Sequence, residues 1–280
     1  MKNNRKFLLT ALSLTLGSVS VSNAATLTYE GFSGYPNNND NIVGQNGGTG
    51  WGGAWQSPTS EGFLHTVRTP TAIAYSGYNG GSTPVASGGN FLNLAAAFGF
   101  DNPVSVSRSL DTTVGGVYDT NGYLLSPGLV GADNTTLWGS LLYSNDKVAQ
   151  GTSTKTLQLE GGGTFVTTLA QPSASNFLVF RVNFGAGATD TVTTFSNPNL
   201  ASFDGTSGGV TSAPGDYSFN TLRLVETYSN GPAGQGSEGQ YDDIRFGSTL
   251  ADVSPIPEPS SALLALVGLS SILMLRSRRI

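Results

Sequence analysis

The chain has 280 residues; 38 are glycine, 11% are charged and none is cysteine. The missing thiols exclude disulfides, thiolate metal sites and cysteine chemistry. Six of the 13 basic residues lie at the two ends, so the segment between them carries about −11 and offers no basic footprint for nucleic acid.

Met1-Lys2-Asn3-Asn4-Arg5-Lys6 opens the chain, and an apolar stretch runs from Phe7 to about Val21. Ser22-Asn23-Ala24 then places small residues at −3 and −1 of a cut after Ala24. That order predicts a secretory signal peptide over 1–24. Export suits an acidic, cysteine-free body, because acidic residues favour solubility.

From Thr26 onward, short apolar alternations are separated by glycine-rich breaks. Phe177-Leu178-Val179-Phe180-Arg181-Val182-Asn183-Phe184 puts Leu178, Phe180, Val182 and Phe184 on one face, with Arg181 and Asn183 on the other. Thr221–Tyr228 likewise aligns Leu222, Leu224, Glu226 and Tyr228. The same pattern predicts strands at Thr26–Phe32, Phe91–Leu94, Ser105–Leu110, Leu137–Tyr143, Thr156–Glu160, Thr164–Leu169, Thr191–Phe195 and Tyr241–Phe246. Asn79–Asn90 and Ser229–Gly239, rich in Gly, Ser and Pro, read as the longest loops. No window carries a convincing helical period. Ten or more strands in about 230 residues predict one all-β domain over 25–252, an antiparallel two-sheet sandwich or jelly roll. There is no exact internal repeat, which argues against a propeller or solenoid.

Catalytic chemistry has few footholds. A Ser/His/Asp triad would have to use His65, the one histidine, and no Gly-x-Ser-x-Gly elbow is present. Glycoside hydrolysis needs two facing carboxyl groups. Asp242 and Asp243 are adjacent, so on a regular strand they point to opposite faces; one is expected in solvent and one hydrogen-bonded. Calcium would need several oxygen ligands. Asn37-Asn38-Asn39-Asp40-Asn41 and Asp119-Thr120-Asn121-Gly122 are oxygen-rich, but Asn and Asp also favour turns. No cofactor is expected, Ca2+ being the one cation these loops could attract. The best ligand-contacting stretch is Asn46–Gln56, with Trp51 and Trp55 four apart among glycines and Asn46 beside them. Sugar rings can stack on tryptophan while amides bond their hydroxyls. The competing reading places both rings in the core.

The chain ends in Pro257-Glu258-Pro259, an apolar run over Ser260–Leu275, and the basic tip Arg276-Ser277-Arg278-Arg279. As a helix, the run of 16 residues would rise about 24 Å, marginal for a bilayer core of about 30 Å. Arginines would hold its end at the cytoplasmic face. These three parts in order resemble the PEP-CTERM sorting signal of Gram-negative bacteria, here spanning 253–280. The resemblance implies an inner-membrane intermediate processed by an exosortase, then release to the cell surface, outer membrane or extracellular matrix. Pro257, Glu258, Pro259, Arg276, Arg278 and Arg279 are the sorting residues it implies. A plain C-terminal anchor helix would share the apolar run and the basic tip.

Within the body, Tyr29-Glu30-Gly31-Phe32, the run Gln45–Trp55, Leu178–Phe184 and Asp242-Asp243-Ile244-Arg245-Phe246-Gly247 follow the order of PEP-CTERM proteins with a concanavalin A-like (LamG-like) jelly-roll domain. That similarity implies an exported, non-catalytic surface or matrix protein, with exopolysaccharide as a further expected partner. The alternative is a divergent glycoside hydrolase of the same fold.

Overall fold

The computed structural model describes residues 26–32, 35, 40–57, 64–68, 74–75, 85–86, 90–96, 103–147, 152–169, 176–200, 202–229 and 237–254. The expected signal segment, Asn37–Asn39 and the sorting segment from 255 onward lie outside these residues.

The strands in chain order are β1 (Thr26–Glu30), β2 (Asp40–Asn41), β3 (Leu64–Arg68), β4 (Ala74–Tyr75), β5 (Val85–Ala86), β6 (Phe91–Ala96) and β7 (Val104–Ser109). They continue with β8 (Leu124–Ser126), β9 (Leu129–Val130), β10 (Thr135–Lys147), β11 (Thr152–Glu160), β12 (Phe165–Leu169) and β13 (Asn176–Phe184). The last four are β14 (Thr191–Ser196), β15 (Val210–Thr211), β16 (Thr221–Ser229) and β17 (Ser237–Gly247). Two single-turn helices, α1 (Val117–Thr120) and α2 (Leu250–Val253), complete the described elements.

The chain is an antiparallel two-sheet β-sandwich. The large sheet runs β15-β14-β13-β10-β17-β6-β3-β2, with β1 added to β17; the small sheet runs β12-β11-β16-β7. Period-two alternation explains the layers. Leu178, Phe180, Val182 and Phe184 of β13 pack with Leu157 and Leu159 of β11 and Leu222 and Leu224 of β16 in one buried cluster. Burying such side chains contributes about 1.5–3 kcal/mol each. Every strand expected from the sequence is present. The structure extends several of them, most clearly β10 and β17. Ser237–Gly239 therefore belong to β17 and not to a loop, and Val85–Ala86 form β5.

The outer face of the large sheet is partly apolar. Phe91, Trp138, Leu142, Phe177, Val179 and Phe195 pack with Leu200 and with Val253 of α2. Ser140 Oγ donates to the Val253 carbonyl at 2.8 Å. The α2 helix carries a capping box between Thr249 and Asp252, and Thr26 Oγ1 donates to the Asp252 carbonyl at 3.3 Å. The first and last described residues thus meet beside the β1–β17 pair, where Thr26 opposes Gly247. Among the described residues no helix is long and apolar enough to cross a membrane.

Candidate functional site

The stretch singled out for its tryptophans folds over the edge of the small sheet. Gly52 N bonds the Ser109 carbonyl, and Gln56 exchanges backbone bonds with Ser107. This covers β7, whose other side pairs with β16. The covering chain comes very close to β1. A Cβ on Gly50, at φ +74°, would stand 1.9 Å from the Leu27 carbonyl oxygen. Only glycine fits that approach.

At its centre is Arg108 of β7, with 1% exposure. Nε donates to the Gly53 carbonyl at 2.8 Å. Nη1 pairs with Glu30 Oε2 and donates to Tyr35 Oη at 3.1 Å. Nη2 donates to Asn46 Oδ1 and to the Gly47 carbonyl, each at 2.7 Å. A guanidinium has five N–H donors, and all five find acceptors here. The cation also lies 4.8 Å from the Trp51 ring centroid and 5.5 Å from that of Trp55, a favourable placement against the ring quadrupole. Glu30 accepts in turn from the Phe32 backbone N–H at 3.0 Å and the Tyr35 hydroxyl at 2.5 Å. Trp55 Nε1 donates to Tyr35 Oη at 3.2 Å.

The expected sugar contacts all join this network. Trp55 is 0% exposed, so no face of its ring is open to a ligand. Trp51 is half-buried; Arg108 lies over its ring and its Nε1 bonds the Tyr29 carbonyl at 3.2 Å. Asn46 is exposed, but its Oδ1 is committed to Arg108. The geometry makes these residues a clamp that closes the small sheet's edge. Burial, then the Glu30 charge, pushes the Tyr35 phenol up to about 12. Burial, then Asp243, does the same to Tyr29. A raised folded pKa means this stability is fully present below the free phenol value of about 10 and is lost as pH rises through about 12. Alkaline titration is therefore expected to unfold the protein across that window, with tyrosinate absorbance rising together with loss of β circular dichroism. Tyrosinate forming fully near pH 10 without unfolding would contradict it.

A second buried group crosses β11, β16 and β17. Lys155 Nζ pairs with Glu226 Oε1 at 3.0 Å, with exposures of 1% and 0%. Ser153 Oγ donates to the same oxygen at 2.6 Å, and Tyr241 Oη approaches Glu226 Oε2 at 3.5 Å. Glu226 shares the inner face with Leu222 and Leu224 as the period predicts; its partner Lys155 is directly opposite in register.

Asp242 and Asp243 depart from expectation, since both are buried. The ladder slips between Ser140 and Leu142, and Asp243 takes φ 50°. This bulge turns Asp243 onto Arg245, at 2.9 Å. The oxygen-rich 119–122 loop serves its own turn. Asp119 Oδ2 accepts from Gly115 N, and Asn121 Nδ2 donates to the Val117 carbonyl, both at 2.7 Å. Among the described residues no cluster of three His, Asp or Glu side chains could hold a metal ion. His65 sits on β3 opposite Leu94. The sorting residues Pro257, Glu258, Pro259, Arg276, Arg278 and Arg279 fall outside the described residues.

No protein-family model matches the chain, and no curated protein does. Among solved structures it is similar to an endo-β-1,4-glucuronan lyase from the fungus Trichoderma reesei, with 13% identity and TM-score 0.44, over 82% of this chain and 99% of the other. A putative β-glucanase from Mycobacterium abscessus aligns with 10% identity and TM-score 0.39, over 79% and 100%. The alginate lyase Aly36B, in complex with alginate trisaccharide, aligns with 7% identity and TM-score 0.32, over 65% and 99%. These are distant likenesses of fold.

Proposed function

We propose that this is an exported protein of the cell exterior, delivered by a PEP-CTERM-type signal that an exosortase reads. Its body is a non-catalytic sandwich of the concanavalin A-like (LamG-like) type that contacts extracellular polysaccharide. The observation that carries this reading is the C-terminal order of Pro257-Glu258-Pro259, the apolar run 260–275 and Arg276, Arg278 and Arg279. The body supports it. Among the described residues, the fully buried carboxylate–cation pairs Glu30–Arg108 and Lys155–Glu226 are tied into hydrogen-bond networks that join separate elements. Such groups act as scaffold and leave the described surface to binding.

The test is intact-mass measurement of protein from its native host. The mature chain is expected to begin near Ala25 and to lack most of residues 260–280. A mature chain that retains Arg276–Arg279 overturns the sorting reading.

A further inference from the structure

β14 and β15 are antiparallel partners, with Thr194 opposite Val210, yet residues 197–209 lie between them. Most hairpin loops hold about 2–5 residues, and connections beyond about 12 without secondary structure of their own are usually functional. This one is fixed to the outer face of the large sheet at several points. Asn197, at φ 52°, donates its backbone N–H to the Phe177 carbonyl at 2.8 Å, and its Oδ1 accepts from Phe177 N at 2.9 Å. Leu200 and Phe203 pack into the outer apolar cluster. Gly205, at φ +75°, lies against Trp138; a Cβ there would stand 2.3 Å from Cη2 of that ring. Its carbonyl accepts from Arg181 Nη1 at 2.9 Å, and the same guanidinium lies 5.5 Å from the Trp138 ring centroid. At the far end Thr194 Oγ1 donates to the Val210 carbonyl at 3.3 Å.

So anchored, the loop and the end of β14 enclose an open cleft of about 290 Å³. Ligand sites run from about 300 Å³ upward, so this one suits a group as small as a sugar ring. Its floor is aromatic. Half-buried Phe203 stands edge-to-face on Phe195, with centroids 4.9 Å apart and planes at 68°, and Phe195 stacks in turn on Trp138. Its rim is polar, and Ser196, Asn199, Ser202 and Ser207 are all exposed there. An apolar floor under hydroxyl and amide groups matches the two aspects of a sugar, whose C–H face stacks on an arene while its hydroxyls form hydrogen bonds. Among the described residues no charged side chain lines the cleft. Asp204, exposed in the same loop, accepts from Thr206 N at 2.9 Å, which holds its carboxyl below the usual range. A standing negative charge beside the cleft, on an acidic body, disfavours an anionic ligand.

We infer that the cleft framed by Phe203, Ser196, Asn199, Ser202 and Ser207 binds a neutral sugar unit of a glycan; this rests on the polysaccharide-contacting reading above. The test uses the full chain, titrated calorimetrically with cellohexaose, xylohexaose and mannohexaose, and with alginate as the anionic comparison. Two variants probe the cleft in opposite ways. Phe203→Ala removes the ring from the floor, and Ser207→Phe, on the exposed rim, fills the space. Wild type is expected to bind a neutral probe in preference to alginate, and both variants about tenfold or more weakly, with the ligand-free melting temperature of Ser207→Phe unchanged. Binding unchanged in Ser207→Phe overturns the cleft but leaves the polysaccharide reading standing, since the probe then binds elsewhere. Weaker binding in Phe203→Ala alone, with a lowered ligand-free melting temperature, is an effect on the fold and likewise overturns the cleft. No binding by wild type to any probe overturns both. Tighter binding of alginate overturns the neutral class.

Discussion

Arg108→Ala is expected to lower the unfolding free energy by about 3–5 kcal/mol, seen as a shift of the denaturant midpoint at unchanged slope. The change strips Glu30 of its cation and leaves a carboxylate at 1% exposure facing only neutral donors. It also frees the Asn46 side chain and the Gly47 and Gly53 carbonyls from their shared donor and removes the cation that lies over Trp51 and Trp55. In a domain of this size each kilocalorie moves the melting temperature by about 2–4 °C, so a fall of roughly 6–20 °C follows. A double variant, Glu30→Gln with Arg108→Met, is expected to lose less than the single one, because no isolated charge remains. A single variant within about 1 kcal/mol of wild type would show that the pair holds nothing together.

Lys155→Met is expected to cost a similar amount, about 3–5 kcal/mol, for a related reason. Glu226 would keep Ser153 and Tyr241 as donors but lose the Lys155 cation at 0% exposure. A double variant, Lys155→Met with Glu226→Gln, is expected to lose less than Lys155→Met alone, because no isolated buried charge remains. Equal losses in the two would place the cost in lost packing instead.

Much of the sandwich was legible because period two is a local signal. Leu178 to Phe184 and Leu222 to Tyr228 announce their inner faces without reference to any other segment. The pairing partners are a different matter. Glu30 and Arg108 are 78 residues apart, and no spacing rule links a carboxylate before a turn to an arginine in a distant strand. Lys155–Glu226 left half a signal. Lys155 alternates with Leu157 and Leu159, and Glu226 with Leu222 and Leu224, so two charges on apolar faces invite a search for each other. Trp51 and Trp55 stayed open between platform and core for a physical reason. Glycine-rich flanks accompany exposed platforms and tight backbone crossings alike, and only the closeness of Gly50 to Leu27 separates the two. The bulge at Asp243 was equally hidden, because register slips depend on the neighbouring strand.

The meeting of the two ends has a mechanical consequence. Thr26 begins β1 opposite Gly247, where β17 stops, and Thr26 also bonds the carbonyl of Asp252. Tension applied between those ends would load adjacent termini of one antiparallel pair and peel it bond by bond from Thr26 inward. A pull through the C-terminal segment alone leaves β1 slack and falls first on α2, held by Ser140 to Val253. A body tethered that way stands on the end where β17 finishes. Gln240 lies seven residues back along β17, roughly 23 Å from Gly247, so the proposed tethering would hold that stretch of the sheet away from the anchoring surface.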